Sequence, residues 1–177
     1  METPKAMARM YWYSTKTPYT LENRILASAA GQVLSKIYLQ KIREDAGAAY
    51  SAGASGGATI VGDRVFTSIA GGCPMKPEFA DMALKIMREE IVNISKNVDP
   101  ATLNEIKALM IKDAETSEKE NSHWLSVFNM LVSRNIDIQT NYKNIVNGLT
   151  PEKVAAFVKN VILKEGNHVE VIMLPEE

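Results

Sequence analysis

The chain has 177 residues, of which 46% are hydrophobic, and its 20 basic and 21 acidic side chains leave a net charge of −1. That is enough apolar material for one sizeable core, so the expectation is a single domain over 1–177, whether whole or cut from a longer polypeptide. Balanced charge without a basic or acidic block argues against a nucleic-acid partner, and the lone cysteine, Cys73, excludes an internal disulfide and a cysteine-built metal cluster.

Met7 to Thr15 is rich in aromatic residues and stops short of Pro18, as a first strand would. Thr20 then suits a helix cap. From Leu21 to about Glu44, Leu26, Ala30, Val33, Ile37 and Tyr38 recur at three- and four-residue spacing, which predicts a helix roughly 35 Å long lying across a sheet. Gly47 is placed to close that helix in the left-handed conformation, with Lys41 and Arg43 near its carbonyl end.

Ala48 to Ile60 reads as a second strand and Val65 to Ala70 as a third. Gly62-Asp63 between them fits a two-residue hairpin turn with glycine first. After Pro77 a helix runs to about Lys96 with Phe79, Met82, Ala83, Ile86 and Met87 on its inner side. Asp99-Pro100 opens a third helical region, about Ala101 to Ser133, whose polar middle predicts a break or bend near Asn121 before Trp124, Leu125, Phe128, Leu131 and Val132 resume an apolar face. Thr150-Pro151 opens the last helix, lined by Val154, Phe157, Val158, Val161 and Ile162. Gly166-Asn167 turns the chain into a closing strand, His168 to Leu174. The order β-α-β-β-α-α-α-β predicts an α+β fold, a mostly antiparallel sheet covered on one face by helices. No apolar run approaches the roughly 20 residues needed to cross a bilayer, and Met1-Glu2-Thr3-Pro4-Lys5 has no signal-peptide character. The expectation is a soluble chain without a membrane partner, in cytoplasm or periplasm.

The candidates for chemistry are few. The two histidines, His123 and His168, stand far apart with no partner at ligand spacing, so no metal site is expected in this chain. Cys73 reads as a small strand-end filler. Glu89, Glu90, Glu115, Glu118 and Glu120 alternate with lysines on helical patterns, as on a solvated face. The glycines of Gly53-Ala54-Ser55-Gly56-Gly57 have neither phosphate-loop spacing; small residues on a strand admit either a packed helix or an extended ligand. There remain Arg43 at the helix end and Tyr50 on the strand beyond it, an always-charged fork beside a phenol donor that together suit an anionic or carbonyl oxygen. The plain structural alternative is that Arg43 only neutralises the helix end while Tyr50 packs half-buried on the sheet.

The string Ile42-Arg43-Glu44-x-x-Gly47-x-Ala49-Tyr50-Ser51 resembles the signature in the C-terminal half of the pitrilysin/insulinase family of zinc peptidases. The helix before it, the hairpin after it and the Thr150-Pro151-Glu152-Lys153-Val154 helix opening are similar too, so the likeness covers essentially the whole chain. It implies a two-layer, ferredoxin-like domain that works beside a zinc-bearing N-terminal domain or subunit, the two closing as a clamshell on a peptide substrate. In that family the zinc motif His-x-x-Glu-His belongs to the partner and is missing here. The resemblance therefore implies no cofactor in this chain, zinc on the partner, and an isolated chain that cleaves nothing.

By the same likeness Arg43 and Tyr50, seven residues apart, would be the catalytic contacts. They would orient the peptide together with Ser51 and Ala52 and help stabilise the oxygen that gains negative charge as the peptide is attacked. A catalytically silent binding or assembly subunit of the same fold is the alternative.

Overall fold

The computed structural model describes residues 5–165 and 167–175. Strand β1 (Ala6–Ser14) leads into helix α1 (Leu21–Tyr38), which continues as a wider π-helical turn, Leu39–Asp45. The hairpin β2 (Gly53–Val61) and β3 (Arg64–Met75) follows, then α2 (Ala80–Ile94), α3 (Pro100–Ser117), α4 (Asn121–Arg134), a short α5 (Tyr142–Asn147), α6 (Pro151–Phe157) with a second π turn (Val158–Ile162), and β4 (His168–Met173). The sheet is antiparallel throughout, in the order β2-β3-β1-β4, so the fold is α+β as expected.

In β1, and in β3 from Thr67 onward, buried residues alternate with more exposed ones. Ala6, Ala8, Met10 and Trp12 of β1 and Ile69, Cys73 and Met75 of β3 face the helices and are buried with Ile25, Val33, Leu34, Met87 and Ile91. On the opposite face Tyr11, Tyr13 and Phe66 form a tilted aromatic row with ring centroids 6.0 and 6.3 Å apart, and the Tyr11 hydroxyl donates to Ser68 Oγ at 2.9 Å. A hollow of about 610 Å³ opens on this face between Arg9, Tyr11, Ser55, Gly72 and Val171.

The three anticipated helix caps are present: Thr20 Oγ1 accepts from Asn23 N at 3.0 Å, Asp99 Oδ2 from Thr102 N at 2.8 Å, and Thr150 Oγ1 from Lys153 N at 3.3 Å. Gly62 takes φ +61° in the hairpin turn, where only the first central residue needs a positive value.

Helix α1 comes down on β2 backbone to backbone. A Cβ on Gly31 would lie 2.3 Å from the Gly56 nitrogen, and one on Gly56 would lie 2.0 Å from the Ala27 carbonyl oxygen. Close helix packing therefore accounts for the small residues on the inner side of β2.

The third helical region breaks at residues 118–120, as expected near Asn121, and α5 had no sequence signal. Two expectations change. Trp124, Leu125, Phe128, Leu131 and Val132 are exposed: α4 turns only His123, Val127 and Met130 inward, and no described element covers the rest. The strand foreseen from Ala48 begins at Gly53, with only an isolated bridge between Ala49 and Met75 before it. Gly166, half of the expected Gly166-Asn167 turn, lies outside the described residues.

Candidate functional site

The junction between α1 and β2 is built by a helix end that loosens before it stops. Over Leu39–Asp45 the hydrogen bonds lengthen to π spacing, and Ala46 N donates to Lys41 O at 3.2 Å. Gly47, at φ +59°, then reverses the chain, and Ala48 N donates back to Ile42 O at 3.0 Å. This is the left-handed closure expected of Gly47, one residue wider than the usual form. Ile42 and Ala48 are both buried and seal it.

Arg43 follows the residue that accepts the closing hydrogen bond, and Tyr50 stands two residues after the one that donates it. Both side chains are exposed, Tyr50 by 89%. Among the described residues neither has a hydrogen-bond or ion-pair partner. The structure thus places Arg43 on the closed turn and Tyr50 two residues beyond it, both exposed, with Tyr50 but not Arg43 lining the groove described next. Tyr50 stands on the connector to β2, not on the strand: the Ala49–Met75 bridge is isolated and leaves the residues after it outside the ladder until Gly53. The plain alternative for Tyr50, half-buried packing on the sheet, does not hold.

Tyr50 lines a groove of about 650 Å³ whose other walls include Ala48, Pro74 and Met75, with Lys5 and Lys76 at its edge. Ser51 is exposed and Ala52 half-buried on the stretch leading into β2, the outer strand of the sheet.

Beneath the turn lies a charge that the sequence pattern hid. Glu90 of α2 is only 6% exposed, not on a solvated face as its lysine-rich surroundings suggest. Its Oε1 accepts from Lys41 Nζ at 2.7 Å and from Asn93 Nδ2 at 3.0 Å. A buried carboxylate requires such partners, so Lys41 answers Glu90 and is held by it. Tyr38, one turn earlier, is fully buried and donates to Met87 O at 3.1 Å; burial first, then the charge of Glu90, pushes its phenol well above the usual range.

A family model described as the peptidase M16 inactive domain matches residues 1–110. The chain belongs to the peptidase M16 inactive-domain family. The M16 fold is shared with the periplasmic protease PqqL from Escherichia coli: 22% identity, TM-score 0.77, over 99% of this chain and 19% of that one. A protease from Helicobacter pylori is similar at 16% identity and TM-score 0.72, over 98% of this chain and 42% of that one. A peptidase M16 inactive domain from Pseudomonas fluorescens is similar at 16% identity and TM-score 0.74, over 100% of this chain and 42% of that one. The M16 domain here therefore spans about a fifth to two fifths of the length of these relatives. No curated protein matches it.

Zinc has no seat among the described residues of this M16 domain, where no group of three or more His, Cys, Asp or Glu side chains could hold a metal. His123 Nε2 is bonded to Gln139 Oε1 at 2.9 Å, and His168 lies 3.8 Å from Glu170. Cys73 is buried, and desolvation pushes its thiol up to about 11, which leaves it an inert core side chain. No described helix is long and apolar enough to cross a membrane.

Sequence reasoning missed Lys5 and Lys76 beside Tyr50 and the support that Glu90 gives the turn. The lysines carry no motif. The burial of Glu90 had only an indirect signal, the apolar neighbours Met87, Ile91 and Ile94 at helical spacing around it.

Proposed function

We propose that this domain is the non-catalytic half of a zinc-dependent metalloendopeptidase and presents Arg43 and Tyr50 to a peptide held against a zinc-bearing domain or subunit of the same family. The observation that supports this reading most is the exposure of both side chains, Arg43 on the closed turn and Tyr50 two residues beyond it, with Tyr50 beside a groove. A guanidinium offers a fixed fork of donors and a phenol offers one more, so a peptide carbonyl entering between them would be oriented and its developing negative charge stabilised. Ser51 and Ala52, leading from Tyr50 into the outer strand, would run beside the extended peptide.

The domain combined with a zinc-bearing M16 partner should cleave peptides that neither cleaves alone. Arg43→Ala and Tyr50→Phe should each lower the rate by about 10²- to 10³-fold, the loss typical of one oxyanion donor. Unchanged rates in both variants would remove the assigned roles. Stoichiometric zinc in the dialysed domain, together with peptidase activity, would overturn the division of labour.

A further inference from the structure

We infer that the groove beside Tyr50 is a subsite for an acidic side chain of the bound peptide, with Lys5 and Lys76 as its cationic rim. The inference rests on the reading above, that a peptide passes Tyr50, and adds which residue of the peptide is held there.

The antiparallel register that pairs Ala6 with Met75 makes Lys5 the residue before the first rung of the β1–β3 ladder and Lys76 the residue after the last. Two like charges are thereby delivered to the same end of the same strand pair, where they line one groove. Like charges on neighbouring strands repel and cost stability unless something negative lies between them. No carboxylate lines the groove among the described residues, and neither lysine has a described ion-pair partner. The nearest acids in the sequence among the described residues are otherwise placed. Asp45 accepts from Gln40 Nε2 at 2.8 Å, while Glu44 and Glu78 are exposed and outside the lining.

The rest of the lining fits the stem of such a side chain. Ala48 and Met75 are buried and apolar, Pro74 adds a rigid wall, and the Tyr50 phenol brings a donor at the same edge. An aspartate or glutamate can lay its methylenes on that floor and set its carboxylate between two ammonium groups. A glutamine of the same shape would keep the apolar contact and lose the attraction.

The test uses the chain alone and blocked peptides, acetylated and amidated, that differ by one Glu or Gln, followed through the backbone amide signals of Gly47, Ala49, Tyr50 and Lys76. Binding of the Glu peptide should be about five- to tenfold tighter than that of the Gln peptide, the range of one or two exposed ion pairs, and should weaken between 0.05 and 0.5 M salt, levels chosen to bracket roughly one Debye screening regime and the next. Lys5→Gln with Lys76→Gln should equalise the two peptides.

Equal affinities in the unaltered chain, no shifts with either peptide, or a Glu preference that survives the double variant would each overturn the subsite. So would a peptide with a free C-terminus and no acidic side chain that binds as well as the Glu peptide, because it assigns the groove to a terminal carboxylate. Failure here is separable from failure of the proposed function: the Glu preference is read as a binding ratio on the chain alone and needs no hydrolysis, whereas the proposed function is read as hydrolysis with the zinc-bearing partner.

Discussion

Lys41 Nζ lies 2.7 Å from the buried carboxylate of Glu90, and that contact joins the π turn carrying Arg43 to helix α2. The pair is asymmetric, with the lysine side chain 47% exposed and the glutamate side chain 8%. Removing the lysine strands a buried charge with only Asn93 beside it. Lys41→Met should therefore cost about 1–2 kcal/mol in urea unfolding, between the limits for surface and buried pairs, and Glu90→Gln should cost less. The same substitution should speed amide exchange at Ala46 and Ala48, whose N–H groups close the turn.

Arg43→Ala and Tyr50→Phe should leave the fold intact. Both side chains are exposed and unpartnered among the described residues, so each change should stay within about 0.5 kcal/mol of the parent in urea unfolding. Measured beside the activity experiment, this separates a lost contact with peptide from a lost structure.

Gly31→Ala and Gly56→Ala should each destabilise the domain by about 3 kcal/mol or more, because each new methyl meets backbone that cannot rotate away. Gly57→Ala is the control. A Cβ there meets nothing within 4 Å, and alanine should be neutral or gain about 0.5 kcal/mol from the stiffer unfolded chain.

Glu170 of β4 receives both Arg88 Nε, at 2.7 Å, and Arg88 Nη2, a bidentate tie between the sheet and α2. Hydrogen bonds from Arg88 hold its carboxyl below the usual carboxylate range. A lowered folded value contributes stability that is complete above the unfolded value of about 4.3 and is lost as pH falls through the folded one. Acid should therefore weaken the parent more than Glu170→Gln, which should show as a smaller difference between urea midpoints at pH 7 and pH 3, conditions either side of that roughly 4.3 value.

Much of this arrangement could be read from the residues. Thr20, Asp99 and Thr150 fix their helix starts through local chemistry, and Gly47 and Gly62 fix turns for the same reason: each signal lies within a few residues of its effect. The four-strand sheet followed from alternation and one hairpin. Contacts distant in sequence were not legible. Nothing local says that Glu90 meets Lys41, 49 residues away, or that Lys5 and Lys76 share a groove. The apolar stripe of α4 reads the same whether or not an element covers it. Tyr50 was misplaced by a strand estimate that began five residues early, since Ala-Ser-Gly composition carries no boundary.

The meeting of Gly31 with Gly56 has a bearing on ancestry. Where main chain rests on main chain, the spacing between helix and sheet no longer depends on which hydrophobic side chains fill the interior. The core can then drift through many substitutions while the far tip of α1 stays where it is. Solved structures at 16 to 22% identity that still share this fold over nearly the whole chain are what such a fulcrum would permit.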